Sequence, residues 1–229
     1  MLKEEQVLNI FRRVGAILTG GHFVYTSGKH GSVYFNKDAI YVYSKEVSKL
    51  CEAMAVKFLK DGVEIVIAPA VGGIILSQWV AYHLSRMSGE EVLSVYAEKE
   101  RVELVSSRYG PLPLKIQDKF VIKRSYDKLV AGKNVLVVED VLTTGGTAKK
   151  VIEAAREAGG KVIGLAALYN RGGVTKNDLG VPTMFVFADI KLDAQDEKDC
   201  RLCAKGVPIN TDVGHGKDFL RRKKLKKKV

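Results

Sequence analysis

The chain has 229 residues, 46% of them hydrophobic and 28% charged, with a formal net charge of +11. These proportions are those of a soluble globular chain long enough for a substantial core, and they exclude a disordered or low-complexity protein. No apolar run approaches the length of a membrane span, and three cysteines are too few for a disulfide framework, so no membrane contact and a reducing cytoplasm are expected.

The positive charge is unevenly spread. Residues 217–229 hold eight Lys or Arg and one Asp, which is +7 of the +11 and leaves +4 for the rest. A mildly basic body suits anionic small-molecule substrates. The tail is short and highly charged, so it reads as disordered, and nucleic acid is not expected as a partner.

In chain order, residues 2–17 carry an amphipathic helical pattern, with Val7, Leu8, Phe11 and Val14 on one face, and no signal-peptide character. Glycines and aromatic residues then alternate with short β-like runs, which predicts a small N-terminal hood over about residues 1–43. Within it, Ser27-Gly28-Lys29-His30 superficially suggests a phosphate loop. Six residues separate Gly21 from Gly28 where the Walker motif needs four, and His30 stands where Ser or Thr would meet magnesium, so that reading fails. Ser44 is placed to cap a helix ending near Lys60, whose apolar face includes Cys51 as a buried small residue rather than a nucleophile.

Val63 to Ala68 reads as a strand buried on both faces. It runs into Pro69-Ala70-Val71-Gly72-Gly73 and a helix over 74–87, an order of elements that can bind an anion, although tight helix–strand packing also accounts for the glycines. His83, within that helix, reads as a packed or surface histidine. A third strand, Val92 to Ala97, leads to Glu98-Lys99-Glu100-Arg101 and then to a long irregular stretch over 102–117, of the kind that forms lids or disordered segments.

The central stretch is NVLVVEDVLTTGGTA, residues 134–148. Apolar Val135 to Val138 predict a buried strand, and Ala148 to Ala158 carry helical spacing. Glu139, Asp140 and the turn Thr143-Thr144-Gly145-Gly146-Thr147 therefore fall at a strand's carboxyl end before a helix N-terminus, where ligands bind in open α/β sheets. Glycines admit an anion to backbone N–H groups, threonines add hydroxyl donors, and the acids can accept from ribose hydroxyls or hold a hydrated Mg²⁺. Neither the Walker sequence nor the dinucleotide fingerprint is present. A further strand, Val162 to Tyr169, ends at Asn170-Arg171-Gly172-Gly173, where an arginine suits bidentate recognition of a carboxylate. After a last strand, Pro182 to Ala188, comes Cys200-x₂-Cys203. His215 could add a third zinc ligand and no fourth is evident, so the two cysteines are read as packed free thiols.

VVEDVLTTGGTA closely resembles the phosphoribosyl pyrophosphate (PRPP) motif of type I phosphoribosyltransferases. The resemblance implies Glu139 and Asp140 on the ribose hydroxyls, Asp140 at the catalytic centre, and Thr143, Thr144, Gly145, Gly146 and Thr147 around the 5′-phosphate. Phe23, Ser27-Gly28 and the aromatic pair Tyr34 and Phe35 are similar to the N-terminal segment of orotate phosphoribosyltransferases, which lies near the orotate and PRPP sites. Val71, Gly72 and Gly73 match the pyrophosphate-binding loop, with Gly72 where many orotate enzymes carry lysine and Thr26 where lysine often precedes the SG. YAEKE and VIKRSY resemble one branch of that family, which makes Lys99 a catalytic candidate and Lys99, Lys123 and Arg124 candidates for pyrophosphate; Glu98 departs from the usual arginine. By the same resemblance Arg171, with Thr143, would meet orotate's carboxylate, and EKDCRLCAKGVPI is similar to the branch's C-x₂-C tail.

The fold so implied is α/β, a mostly parallel sheet flanked by helices (the type I phosphoribosyltransferase fold), in a single domain over 1–216 that includes the hood, with 217–229 as a tail. The reaction implied joins orotate to PRPP with Mg²⁺ as cofactor, giving orotidine 5′-monophosphate and pyrophosphate, commonly in a homodimer. Two alternatives remain at this point: a purine phosphoribosyltransferase, for which Arg171 would have no purpose, and a non-catalytic PRPP-sensing regulator that binds nucleic acid through the tail.

Overall fold

The computed structural model describes residues 2, 4–104, 115–189 and 193–226. Part of the irregular stretch expected over 102–117, namely 105–114, lies outside the described residues, as do the last three residues of the tail. The chain divides into two compact units, residues 1–4 with 44–189, and residues 5–43 with 190–229.

In chain order the second unit opens with α1 (Glu4–Arg13, its first residue counted with the other unit), β1 (Ile17–Val24), β2 (His30–Phe35) and α2 (Asp38–Tyr41). Helix α1 buries Val7, Ile10 and Phe11, and it stops short of the predicted end because Gly15 turns left-handed at φ +71° and Ile17 enters a strand. β1 and β2 form an antiparallel hairpin with Val24 opposite His30 and Leu18 opposite Tyr34.

The sheet unit follows: α3 (Ser44–Phe58), β3 (Ile65–Pro69), α4 (Ile74–Ser88), β4 (Leu93–Leu104), β5 (Lys115–Val121), α5 (Tyr126–Val130), β6 (Asn134–Leu142), α6 (Gly146–Glu157), β7 (Lys161–Asn170), α7 (Lys176–Leu179) and β8 (Thr183–Val186). Six strands lie in the order β5-β4-β3-β6-β7-β8, all parallel except β5, which runs antiparallel to β4. This is the mostly parallel, helix-flanked sheet that the apolar runs predicted. β3 is buried at all five positions, and its register sets Ile65 beside Val135 and Ile67 beside Val137. Those side chains, with Leu165 and Ala167 of β7, join Val151, Ile152 and Ala155 of α6 in one apolar cluster. Each large aliphatic side chain so buried contributes about 1.5–3 kcal/mol, and a slip of one residue would move the whole set to the opposite face of the sheet.

Two readings of single residues hold up in this unit. Cys51 is fully buried on α3, and burial pushes its thiol pKa up, so it is no nucleophile. His83 is a packed histidine of α4: its Nε2 lies 2.9 Å from Ser48 Oγ on α3, and its ring stacks on Trp79 with centroids 5.9 Å apart. The predicted irregular stretch, by contrast, is partly regular. Arg101 pairs with Asp118 and Leu104 with Lys115, which extends β4 and β5 into a long antiparallel ribbon.

The chain returns to the second unit with α8 (Arg201–Ala204) and α9 (Gly216–Lys226). Residues 217–226, expected as part of a disordered tail, lie in helix α9, where Phe219 finds a partner: its ring stands nearly perpendicular to that of His30, centroids 4.8 Å apart. Cys200 and Cys203 are free and packed, as the sequence reading had them, but their neighbours are not the expected ones. They sit against His22 and His30 rather than His215, whose ring reaches Thr26 Oγ1 at 3.2 Å and Asp218 at 3.7 Å.

Candidate active site

At the carboxyl end of β6 the strand continues two residues beyond the acids, so Glu139 and Asp140 are strand residues rather than turn residues. They are buried to 7% and 3% exposure. Carboxylates held that deep persist because something polar faces them. The chain then turns through Thr143 and Thr144, both exposed, and enters α6 with Gly145 as N-cap at φ +73°, a conformation that costs other residues about 1–2 kcal/mol. Gly146 N–H donates to Thr144 Oγ1 at 3.3 Å, which folds the threonine hydroxyl over the helix start. Exposed Thr143, Thr144 and Thr147 and the positive end of a three-turn helix are parts from which an anion cradle can be built.

The segment after β7 is stitched to this turn. Arg171 and Gly172 N–H both donate to Leu142 O, at 2.8 and 3.2 Å. Gly172 runs so close to the turn that a Cβ there would lie 1.5 Å from Thr143 O. From the other side, a Cβ on Gly145 would meet Val174 and Leu179 at 3.0 and 3.1 Å. Asn170, buried at 4% exposure, locks the loop that carries Arg171. Its Nδ2 donates to Val174 O at 2.9 Å, and its Oδ1 accepts from Val174 N at 3.1 Å. A capping box of Thr175 and Asp178 then starts α7. Arg171 is thus held by its backbone beside Thr143, which brings together two of the four predicted orotate contacts. Asn170 and Gly172 were not singled out in the sequence. An asparagine followed by Arg-Gly-Gly at a strand end is a turn signal that points to the first of them.

The turn after β3 shows close packing at its last glycine. Ala70 N–H donates to Ala97 O at 2.8 Å, and a Cβ on Gly73 would lie 2.7 Å from Ala68 Cβ and 2.9 Å from Pro69 O. Packing therefore explains Gly73 without a ligand, while Val71 is 82% exposed at the turn's tip beside half-buried Gly72.

The three candidate cations occupy the β4–β5 ribbon and its exit, each against a carboxylate. Lys99 Nζ lies 2.7 Å from Asp118, Lys123 Nζ lies 3.1 Å from Glu100, and Arg124 Nη2 lies 2.5 Å from Glu98. The Lys99 hydrogen bond holds the Asp118 carboxyl below the usual carboxylate range. Alternation along β4 puts Lys99 on one face and Glu98 and Glu100, with their partners, on the other. Tyr34 and Phe35 belong to the second unit: Phe35 is buried edge-on against Phe11, centroids 5.0 Å apart, and half-buried Tyr34 lies against Phe23.

Comparison with known proteins gives the same picture. Residues 41–195 match the family model described as phosphoribosyl transferase domain. An orotate phosphoribosyltransferase of Desulforamulus reducens is 36% identical over 207 residues, 90% of this chain and 95% of that one. That of Thermotoga maritima is 34% identical over 216 residues, 94% of this chain and 99% of that one. Among solved structures, orotate phosphoribosyltransferase of Mycobacterium tuberculosis in complex with 5-phospho-alpha-D-ribosyl 1-diphosphate superposes with a TM-score of 0.57. It is 16% identical and covers 81% of this chain and 95% of its own, a likeness of fold. The enzyme from Aeropyrum pernix does so with a TM-score of 0.54 at 22% identity, covering 80% of this chain and 93% of its own.

Proposed function

The chain belongs to the phosphoribosyltransferase family, among its orotate phosphoribosyltransferases, and we propose that it transfers the phosphoribosyl group of PRPP to orotate, giving orotidine 5′-monophosphate and pyrophosphate in pyrimidine biosynthesis. The observation that carries this reading is the fixed position of Arg171. It stands beside the anion cradle, its backbone bound to Leu142 O, where a planar guanidinium can take a carboxylate in bidentate fashion.

In this reading the roles are divided as follows. The Thr143–Thr147 turn and the N-terminus of α6 receive the 5′-phosphate, through N–H groups and hydroxyls. Glu139 and Asp140 accept hydrogen bonds from the ribose hydroxyls and orient C1. As pyrophosphate departs, C1 gains oxocarbenium character, and the buried carboxylates of Glu139 and Asp140 favour that positive charge. N1 of orotate, aligned by Arg171, attacks C1 from the opposite side as the C1–O bond to pyrophosphate breaks, and the N1 proton passes to the departing pyrophosphate or to solvent. No protein nucleophile is required; the catalytic contribution is alignment and electrostatics. Val71 and Gly72 offer backbone to the pyrophosphate. Lys99, or Lys123 with Arg124 from the opposite face of the ribbon, supplies cations once it leaves its carboxylate partner.

The donor set fits magnesium: two adjacent carboxylates provide only oxygen, as a hard cation prefers, and a hydrated ion would be held through Glu139 and Asp140. When bound, it would neutralise charge on the pyrophosphate oxygens. A cytoplasmic homodimer completes the proposal, in keeping with the family resemblance and with the low cysteine content.

The test is to incubate the protein with PRPP and Mg²⁺ and with orotate, adenine, guanine or hypoxanthine in parallel, and to identify products by mass. Orotidine 5′-monophosphate with orotate alone is the expected result. A purine nucleotide would discard the role given to Arg171, and PRPP binding with no product from any base would favour a regulator.

A further inference from the structure

We propose that His22, His30, Cys200 and Cys203 form a closed, tetrahedral site for a structural zinc ion. The four residues come from separated parts of the chain: β1, the first residue of β2, the residue before α8, and α8 itself. All belong to the second unit, and their ligand atoms lie within 4.8 Å of one another.

The spacing is that of a coordination shell. With Zn–N of about 2.0–2.1 Å and Zn–S of about 2.3 Å, a tetrahedron has edges of about 3.3 Å between nitrogens and about 3.6 Å between nitrogen and sulfur. Here Cys200 Sγ and Cys203 Sγ stand 3.6 and 3.7 Å from His22 Nε2, and Cys203 Sγ stands 3.3 Å from His30 Nδ1. The two nitrogens are 2.9 Å apart, a few tenths of an ångström inside the expected edge.

The rings are also oriented as ligands. His22 Nδ1 lies 2.8 Å from Val207 O, and a carbonyl can only accept, so the proton sits on Nδ1 and the Nε2 lone pair points at the other three residues. Without a cation, His30 must therefore donate Nδ1–H to His22. Its fully buried Nε2, which has no hydrogen-bond partner, is then left with a bare lone pair. A cation would replace that Nδ1–H as the partner of the His22 lone pair, taking both nitrogens as ligands and moving the His30 ring proton to Nε2.

Two imidazoles and two thiols select zinc over magnesium or calcium, and four protein ligands leave no open position for chemistry. The ion would be structural. It would tie the N-terminal hairpin to the C-terminal segment of the same unit, across more than 160 residues of sequence, so that metal binding and folding of the unit are linked.

The experiment is elemental analysis of untagged protein purified without chelators, followed by Co²⁺ replacement and absorption spectroscopy. About one zinc per chain, and a thiolate-to-cobalt charge-transfer band with tetrahedral d–d bands, are expected. Cys203→Ser should lose the metal and melt at lower temperature, whereas His215→Ala should keep the full zinc content. If Cys203→Ser does not fold, wild-type protein stripped with a chelator and titrated with Co²⁺ gives the same readout. Absence of metal as purified and of any charge-transfer band on adding Co²⁺ would overturn the proposal, whether the thiols then prove free or disulfide-bonded. Zinc retained at full content in a folded Cys203→Ser protein would do so too. None of these readouts depends on turnover.

Discussion

Gly172→Ala probes how Arg171 is held. The added methyl would sit 1.5 Å from Thr143 O and 2.6 Å from Thr143 C, whereas real contacts of this kind stay beyond 3.0 Å. The two backbones must separate by about 1.5 Å, which breaks or stretches the hydrogen bonds from Arg171 N–H and Gly172 N–H to Leu142 O. Two bonds at about 0.5–1.5 kcal/mol each put the loss at about 1–3 kcal/mol, and for a chain of this size each kcal/mol lowers Tm by about 2–4 °C. The kinetic effect should be larger in proportion. A displacement of 1 Å at a positioning contact costs about 10²-fold in rate, so kcat/KM for orotate should fall by about that factor. Stopped-time formation of orotidine 5′-monophosphate, beside a thermal melt, measures both. A Gly172→Ala protein with wild-type kcat/KM and Tm would refute the claim that this contact sets the position of Arg171.

Asp140→Asn keeps the shape of a buried side chain and removes its charge, so turnover should fall about tenfold to a hundredfold, from the loss of a charged hydrogen bond, with a nearly unchanged melt. A collapsed Tm with residual activity intact would assign Asp140 to structure instead. His83→Gln tests a pH effect remote from the site. Burial holds the imidazole below its ordinary value of 6.5, with Glu52 pulling upward and Arg86 downward. The unfolded chain therefore takes up the proton first: the stability linked to His83 is full above 6.5 and is lost as pH falls through the depressed folded value. Tm should drop less between about pH 7 and pH 5 in His83→Gln than in the wild type. Equal slopes would contradict this.

What could be read from the sequence was local. The β6–α6 unit announces itself because the apolar run, the acids, the glycines and the helix are contiguous, and Arg171 follows at the next strand's end. The β4–β5 ribbon was written in the sequence as well, in the alternation Arg101-Val102-Glu103-Leu104 and Lys115-Ile116-Gln117-Asp118, but Gly110, Pro111 and Pro113 between them spoke for a loop. Other features needed the third dimension. Gly172 matters because of a carbonyl nearly thirty residues earlier. The partners of Cys200 and Cys203 lie at His22 and His30, where no spacing rule for a C-x₂-C motif would look. The basic helix α9 is polar enough to read as a tail, and one aromatic contact to His30 is what the composition conceals.

The central claim is that this site chooses its base by the carboxylate, and its most direct test is the ratio of kcat/KM for orotate to that for uracil, which lacks only that group. Measured in the wild type and in folded Arg171→Ala, the ratio should be high in the first and fall by about 10–150-fold in the second, the worth of about 1.5–3 kcal/mol for a charge-assisted contact. The same ratio in both proteins would contradict the account.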